Sequence, residues 1–442
     1  MKRLALITLM AVTLMALTLL ALAATGQQPS NPATQQPVSQ PANQATGQPG
    51  NYVGVASCVS SGCHGSTQPL NATRILQNEY YTWLNSDRHA AAYNVLFNDK
   101  SARIARNMRL RKKAYEESAC LDCHSTNVPA RLVSGHIDPE DGVQCEACHG
   151  PASGWRDEHT QPGWTHAQSV ARGMIDQRDV PVRAHICGRC HIGSDTRDVD
   201  HELIASGHPQ LGFELDNYSE TMPAHWNPND THGVRAWATG QAMALRDSLA
   251  NLARQARGEK WPEFSDMSCN NCHHSLKTSG WRQERGWPGR AGLPAWSPKQ
   301  WAVFRVLVGR VSPETRAQLD DEIQQVASRV ARMNDPNGVA DAAEKARKTV
   351  HGLVPRIDRL SWSEGDVRAL MGAIASNADV SDVHAAEQTA LALQALGTSL
   401  TRRNPSLLKG PMMKSIDDLF AELQNRDDYD PVRFSEKLRA LR

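Results

Sequence analysis

The chain has ten cysteines, and they fall in five pairs, each followed at once by a histidine. Three copies sit close together as C-L-D-C-H (Cys120, Cys123, His124), C-E-A-C-H (Cys145, Cys148, His149) and C-G-R-C-H (Cys187, Cys190, His191). An earlier copy reads C-V-S-S-G-C-H (Cys58, Cys63, His64), and a later one C-N-N-C-H-H (Cys269, Cys272, His273, then His274). In C-x-x-C-H the two thiols add to the vinyl groups of a haem while the adjacent imidazole turns onto the iron, so one pentapeptide both tethers and ligates. The pattern predicts five covalently bound haem c groups. At Cys58/Cys63 the four-residue spacing requires the intervening loop to bulge so that both thiols still reach the vinyls.

Competing readings account for less. A structural zinc site takes four ligands from two pairs, so five pairs leave one over, and zinc does not require histidine after the second cysteine. Disulfides explain an even count, but two-residue loops are not how secreted frameworks span a fold.

The start of the chain points to export. Met1-Lys2-Arg3, an apolar run from Leu4 to Leu22 and the small residues Ala21 and Ala23 have the parts of a secretory signal over residues 1–24. Cleavage is the expectation; an uncleaved anchor is the alternative, because the run approaches membrane-spanning length. Residues 25–52 are almost wholly Gln, Pro, Ser, Asn, Ala, Thr and Gly and cannot bury enough surface to offset ordering entropy, so they read as a disordered linker. The expected location is the periplasm or the outer face of the membrane, with a membrane tether only if the signal stays on.

Charge is balanced, 48 Lys+Arg against 47 Asp+Glu, and no basic stripe suggests nucleic acid. With 40% hydrophobic and only 5% aromatic residues, side chains alone make a thin core for 442 residues, a deficit that five macrocycles would fill. The expected fold is mainly α with extensive loops: a core of short helices wrapped around the haems over 53–290, then a helical domain over 291–442. In the first part helices are expected near Asn78 to Leu96 and Gly233 to Arg257. In the second, Ser312-Pro313-Glu314 is a helix start. Leu319, Ile323, Val326, Val330 and Met333 then share one face. Further helices fit Glu364 to Ala375, Ser381 to Leu400, Lys414 to Leu423 and Pro431 to Leu441.

Seventeen histidines are present, and five are spent in the motifs. His351 and His384 read as surface residues of the C-terminal helices. The remaining ten are His89, His136, His159, His166, His185, His201, His208, His225, His232 and His274, more than five second axial ligands require. Methionine is the weaker alternative donor, since no Met keeps a recurring spacing to the motifs. His274, directly after a proximal ligand, could reach only a neighbouring haem.

The order of these features resembles the cytochrome c-554 family of multihaem c-type cytochromes, over roughly Val55 to Tyr218. A first site is followed by W-L-N-S-D-R-H-A-A-A (Trp83 to Ala92), a second site, a third written G-V-Q-C-E-A-C-H-G-P-A, and a fourth at Cys187. The resemblance implies that His89 and His159 are sixth ligands, His159 on the first haem and His89 on the fourth, and that His208 serves the third. The second and fifth haems are left open, with His201, His225 and His274 as further candidates. The chain departs from the family in its fifth motif and its C-terminal helices.

Two functions are consistent with these features. The first is an exported electron carrier working between redox partners such as a dehydrogenase, a quinol oxidase or a terminal reductase. The second is a multihaem oxidoreductase whose open haem acts on nitrite, nitric oxide or hydroxylamine. The C-terminal helices could also make the protein a subunit of a larger redox complex.

Overall fold

The computed structural model describes residues 50–70, 75–225, 233–285 and 293–442. The expected export signal, nearly all of the linker, and His232 lie outside them.

A cysteine pair at i and i+3 with a histidine at i+4 puts all three side chains on one face of a helix, and three of the motifs take that form. Each closes a short helix with its histidine as the last helical residue: α3 (Ser118–His124), α4 (Cys145–His149) and α6 (Val180–His191). The first motif instead follows a 3-10 turn, Val55–Ser57, and the fifth begins in another, Cys269–Asn271. Between the motifs run α1 (Glu79–Ser86), α2 (Asp99–Asn107), α5 (His166–Ala171), α7 (His201–Ala205) and α8 (Leu215–Thr221). The helix expected over Asn78 to Leu96 is therefore broken. It stops at Ser86, where Asp87 turns extended, and a 3-10 turn at Asn94–Phe97 closes the segment. No strand forms among the described residues; isolated bridges join Tyr52 to Val133 and Met267 to Trp296.

From α9 (Val234–Ala256) onward most helices are longer, the short α10 (Trp281–Arg285) and α17 (Pro431–Leu438) excepted: α11 (Trp301–Val311), α12 (Pro313–Arg332), α13 (Pro336–Asp358), α14 (Glu364–Asn377), α15 (Val383–Arg403) and α16 (Pro411–Glu422). Of these, α11 and α13 carry no clear sequence signal. Almost every residue of α11 is apolar, which erases periodicity. The start of α13, Asp335-Pro336-Asn337-Gly338, reads as a turn; in the fold Asp335 accepts the Gly338 N–H and Pro336 sits in the first helical turn.

Helix α9 is the axis of the molecule. Trp237, Leu245 and Leu249 are fully buried, and the helix packs along α13 on one side and against α6, which carries the fourth motif, on another. Its Gly240 lets α8 close in, since a Cβ there would stand 2.7 Å from the Leu215 side chain. One apolar core runs from Val180 to Leu438, across position 290/291, and Ala45–Arg442 form a single compact unit. What fills the interior therefore changes near residue 180 and not at 290. Between Val53 and Met174 side chains form only small separate clusters, such as Tyr93/Leu96/Ala105/Ala114 and Val55/Trp83/Ala90. Protein interiors are close-packed, so this segment is built around something other than its own side chains. His384, expected on the surface, is buried in α15 against Cys269, whereas His351 is exposed.

Candidate functional site

Each motif histidine faces one histidine from elsewhere in the chain. His64 faces His159 with ring centres 6.2 Å apart, His191 faces His89 at 6.2 Å, His149 faces His225 at 6.3 Å, His124 faces His208 at 6.4 Å and His273 faces His201 at 6.4 Å. With metal–nitrogen bonds of about 2.0–2.1 Å and Nε2 about 1.1 Å from the ring centre, two imidazoles on opposite sides of one metal ion stand roughly 6.3 Å apart. Directly packed rings spread over about 4.5–7 Å, whereas these five couples all fall between 6.2 and 6.4 Å. All five separations are those of two imidazoles sharing one iron, and a cysteine pair adjoins one imidazole of each couple. The residues fit five haem c groups.

The local fold aims six of these ten rings through their other nitrogen. Nδ1 of His64 meets Glu79 Oε2 at 2.9 Å, and Nδ1 of His89 meets Asp87 Oδ1 at 2.9 Å. Backbone carbonyls engage Nδ1 elsewhere: Ala92 for His124 (2.9 Å), Pro209 for His208 (2.8 Å), Pro223 for His225 (3.4 Å) and Arg156 for His159. An acceptor on Nδ1 places the proton there and leaves the Nε2 lone pair for a metal. Ligation also requires a neutral ring. Burial pushes His149 and His191 down to about 4, and it lowers His208 and His225 as well. His89 moves the other way, held up by its hydrogen bond to Asp87.

The irregular first motif keeps its histidine in place by looping out. Ser60, Ser61 and Gly62 are exposed, Cys63 N–H donates to the Ser60 carbonyl, and His64 N–H donates to that of Cys58 (3.1 Å). Gly65 then passes so near Val59 that a Cβ would fall 1.8 Å from its carbonyl oxygen.

The sites do not follow one another in space as they do in sequence. Cys145 of the third site lies within electrostatic range of Cys58 of the first. Cys148 lies within electrostatic range of Cys187 and Cys190 of the fourth, and Cys190 lies within hydrogen-bonding reach of Cys123 of the second. Gln210, two residues past His208, reaches the Cys269 sulfur of the fifth at 3.7 Å. The spatial order is first, third, fourth, second, fifth.

Some expected placements differ. His208 faces His124 of the second motif and not the third, because α7 and the turn after it lie beside α2, where Asn107 Nδ2 donates to the Ser206 carbonyl. The third motif is faced by His225 and the fifth by His201. His274 is not brought opposite any motif histidine; its Nδ1 lies 3.1 Å from the Ser275 carbonyl. His136 is exposed, His166 pairs with Asp176, and His185 is held by Asp247 and Arg246.

The residues flanking the third motif have roles that sequence reasoning missed. The buried Glu146 carboxylate accepts backbone N–H groups of Val53, Gly54 and Ala152, and Gln144 Oε1 accepts that of Val55, so the third motif pins the segment leading into the first. Gly142 adopts φ 65° with a Cβ position 2.5 Å from the His89 carbonyl oxygen, a conformation open to glycine. The signal for this was the G-V-Q-C-E-A-C-H-G-P string itself, whose non-haem letters had no assigned work.

Residues 57–150 match the family described as cytochrome c554 and c-prime. No curated protein and no solved structure matches the chain.

Proposed function

We propose, for a chain whose residues 57–150 are cytochrome c554-like and which as a c-type cytochrome holds haem covalently, that it is an exported pentahaem carrier passing single electrons between redox proteins. The observation that carries this reading is the set of five opposed imidazole couples, each with one motif histidine and one distant histidine. Haem c, when bound, supplies a one-electron iron couple at each site. The chain's own work would be to tether the groups through ten cysteines, to hold each between a motif imidazole and a distant one, and to keep the sites close together. A second imidazole at every site argues against an open position for a small nitrogen compound, the alternative reading. The spatial order, with the first and fifth sites at its ends, supports entry at one end and exit at the other, with a dehydrogenase, quinol oxidase or terminal reductase as partners. Family members are typically periplasmic. No helix among the described residues is long and apolar enough to cross a membrane.

Intact mass of the protein from a host with haem-attachment machinery should exceed the polypeptide by five haems; four would remove the Cys58/Cys63 site from the proposal. Low-temperature electron paramagnetic resonance of the oxidised protein should show no high-spin iron. The His64 and His159 planes are 4° apart, whereas the couples at His191, His124 and His149 are crossed by 83°, 84° and 70°. Parallel imidazole planes split the iron d orbitals and give a rhombic low-spin signal, and crossed planes give a strongly anisotropic one. A full-occupancy high-spin signal would instead favour the enzyme.

A further inference from the structure

One short helix, α1, presents a carboxylate at each end to a different site. Glu79 is its first residue and Asp87 its C-cap. Glu79 Oε1 accepts the Leu76 and Gln77 N–H groups at 3.0 and 3.1 Å, which leaves Oε2 directed at His64 Nδ1. Asp87 Oδ1 takes both the His89 N–H and His89 Nδ1, each at 2.9 Å. The helix is itself fixed by Trp83, whose Nε1 donates to the Val143 carbonyl beside the third motif. Both carboxylates are shielded, with side-chain exposures of 14% for Glu79 and 4% for Asp87, so bulk water does little to screen them.

We propose, resting on the haem-site reading above, that Glu79 and Asp87 lower the redox potentials of the first and fourth sites by accepting the Nδ1 hydrogens of His64 and His89. A carboxylate at Nδ1 draws that proton toward itself and makes the imidazole a more basic donor to the metal, which favours the ferric state. The second site is the internal comparison. Both of its imidazoles, His124 and His208, give Nδ1 to neutral carbonyls, so its potential lies above those of the first and fourth. In the spatial order the two carboxylate-bound sites flank the third. Helix α1 is thus a positioning element that sets where electrons rest on a partly reduced chain.

The test is a potentiometric titration of the full holoprotein, followed by low-temperature paramagnetic resonance, for wild type, Glu79→Gln and Asp87→Asn. Each amide keeps the shape and an accepting oxygen but removes the charge. Glu79→Gln should raise the potential of the rhombic signal from the parallel couple by at least a tenfold change in its reduction equilibrium, 59 mV for one electron. Asp87→Asn should do the same for one strongly anisotropic signal, and the other signals should stay put in both. A shift of less than twofold in both variants, or an equal shift of all sites, overturns the proposal. So does loss of haem mass from both, which would make the carboxylates assembly residues; if only one loses haem, the other decides. A wild type lacking five low-spin haems would defeat the functional reading before either variant is compared.

Discussion

At the scale of single residues the chemistry is carried by imidazoles whose partners were chosen by the fold. His159 is held by the Arg156 carbonyl and lies parallel to His64, 6.2 Å away. Replacing His159 by Ala should create one high-spin iron among five. Replacing it by Met should keep six-coordination and raise that site's potential, because thioether is the weaker donor to ferric iron. Unchanged spectra and potentials in His159→Ala would make it a bystander. Outside the sites, Asp266 is an ionisable group under stress. Its Oδ2 is sealed from solvent without a hydrogen-bond partner, and burial, aided by the charges of Asp198 and Glu263 against the relief from Lys299, pushes it from 3.8 up to about 7. A carboxyl raised in the folded state contributes stability that is whole below 3.8 and is lost as pH climbs through about 7. Asp266→Asn should therefore match wild type in thermal midpoint near the acid end of that window and melt higher above pH 7. A gap that does not change with pH would contradict the assignment.

At the scale of elements, C-x-x-C-H favours a helical turn, since i, i+3 and i+4 share a helix face; three of the four regular motifs, those of α3, α4 and α6, end a helix on their histidines, and the one at Cys269 begins in a 3-10 turn. The C-terminal helices were legible where an apolar stripe met a cap, as at Ser312-Pro313, whose helix α12 buries Leu319, Ile323, Val326 and Val330. Met333, expected on the same face, instead caps the helix in the left-handed region at φ 59°. Helix α11 was illegible because it is apolar nearly all round, and only the core explains why: Phe304 and Leu307 are fully buried beneath α12, α14 and α15. Phe304→Ala should cost about 3–5 kcal/mol, seen as a lowered thermal midpoint by far-ultraviolet circular dichroism with the haem count unchanged. A shift of under a degree would mean that α11 is not seated in this core.

At the scale of the whole molecule, the fifth site joins the two parts. Asn270 Oδ1 accepts the Val383 N–H at 3.2 Å, Trp281 Nε1 donates to the Tyr429 carbonyl at 2.9 Å, and His384 lies against Cys269. A chain ending at Gly289 would strip α13 from α9 and remove every one of those contacts. It should aggregate or lose the fifth haem; a soluble fragment with five haems would show the C-terminal helices to be dispensable. By itself the sequence marked the expected attachment points, because ten cysteines in five histidine-followed pairs encode covalent chemistry within a few residues. It also determined the helical class, because periodicity is local. Through its family likeness it pointed to His89 and His159. Only the tertiary structure decided which histidine faces which motif, moving His208 to the second, assigning His225 and His201, and leaving His274 aside. The physical reason is that a second axial ligand is chosen by proximity in space, over separations such as the 95 residues from His64 to His159, and nothing local in the chain records it.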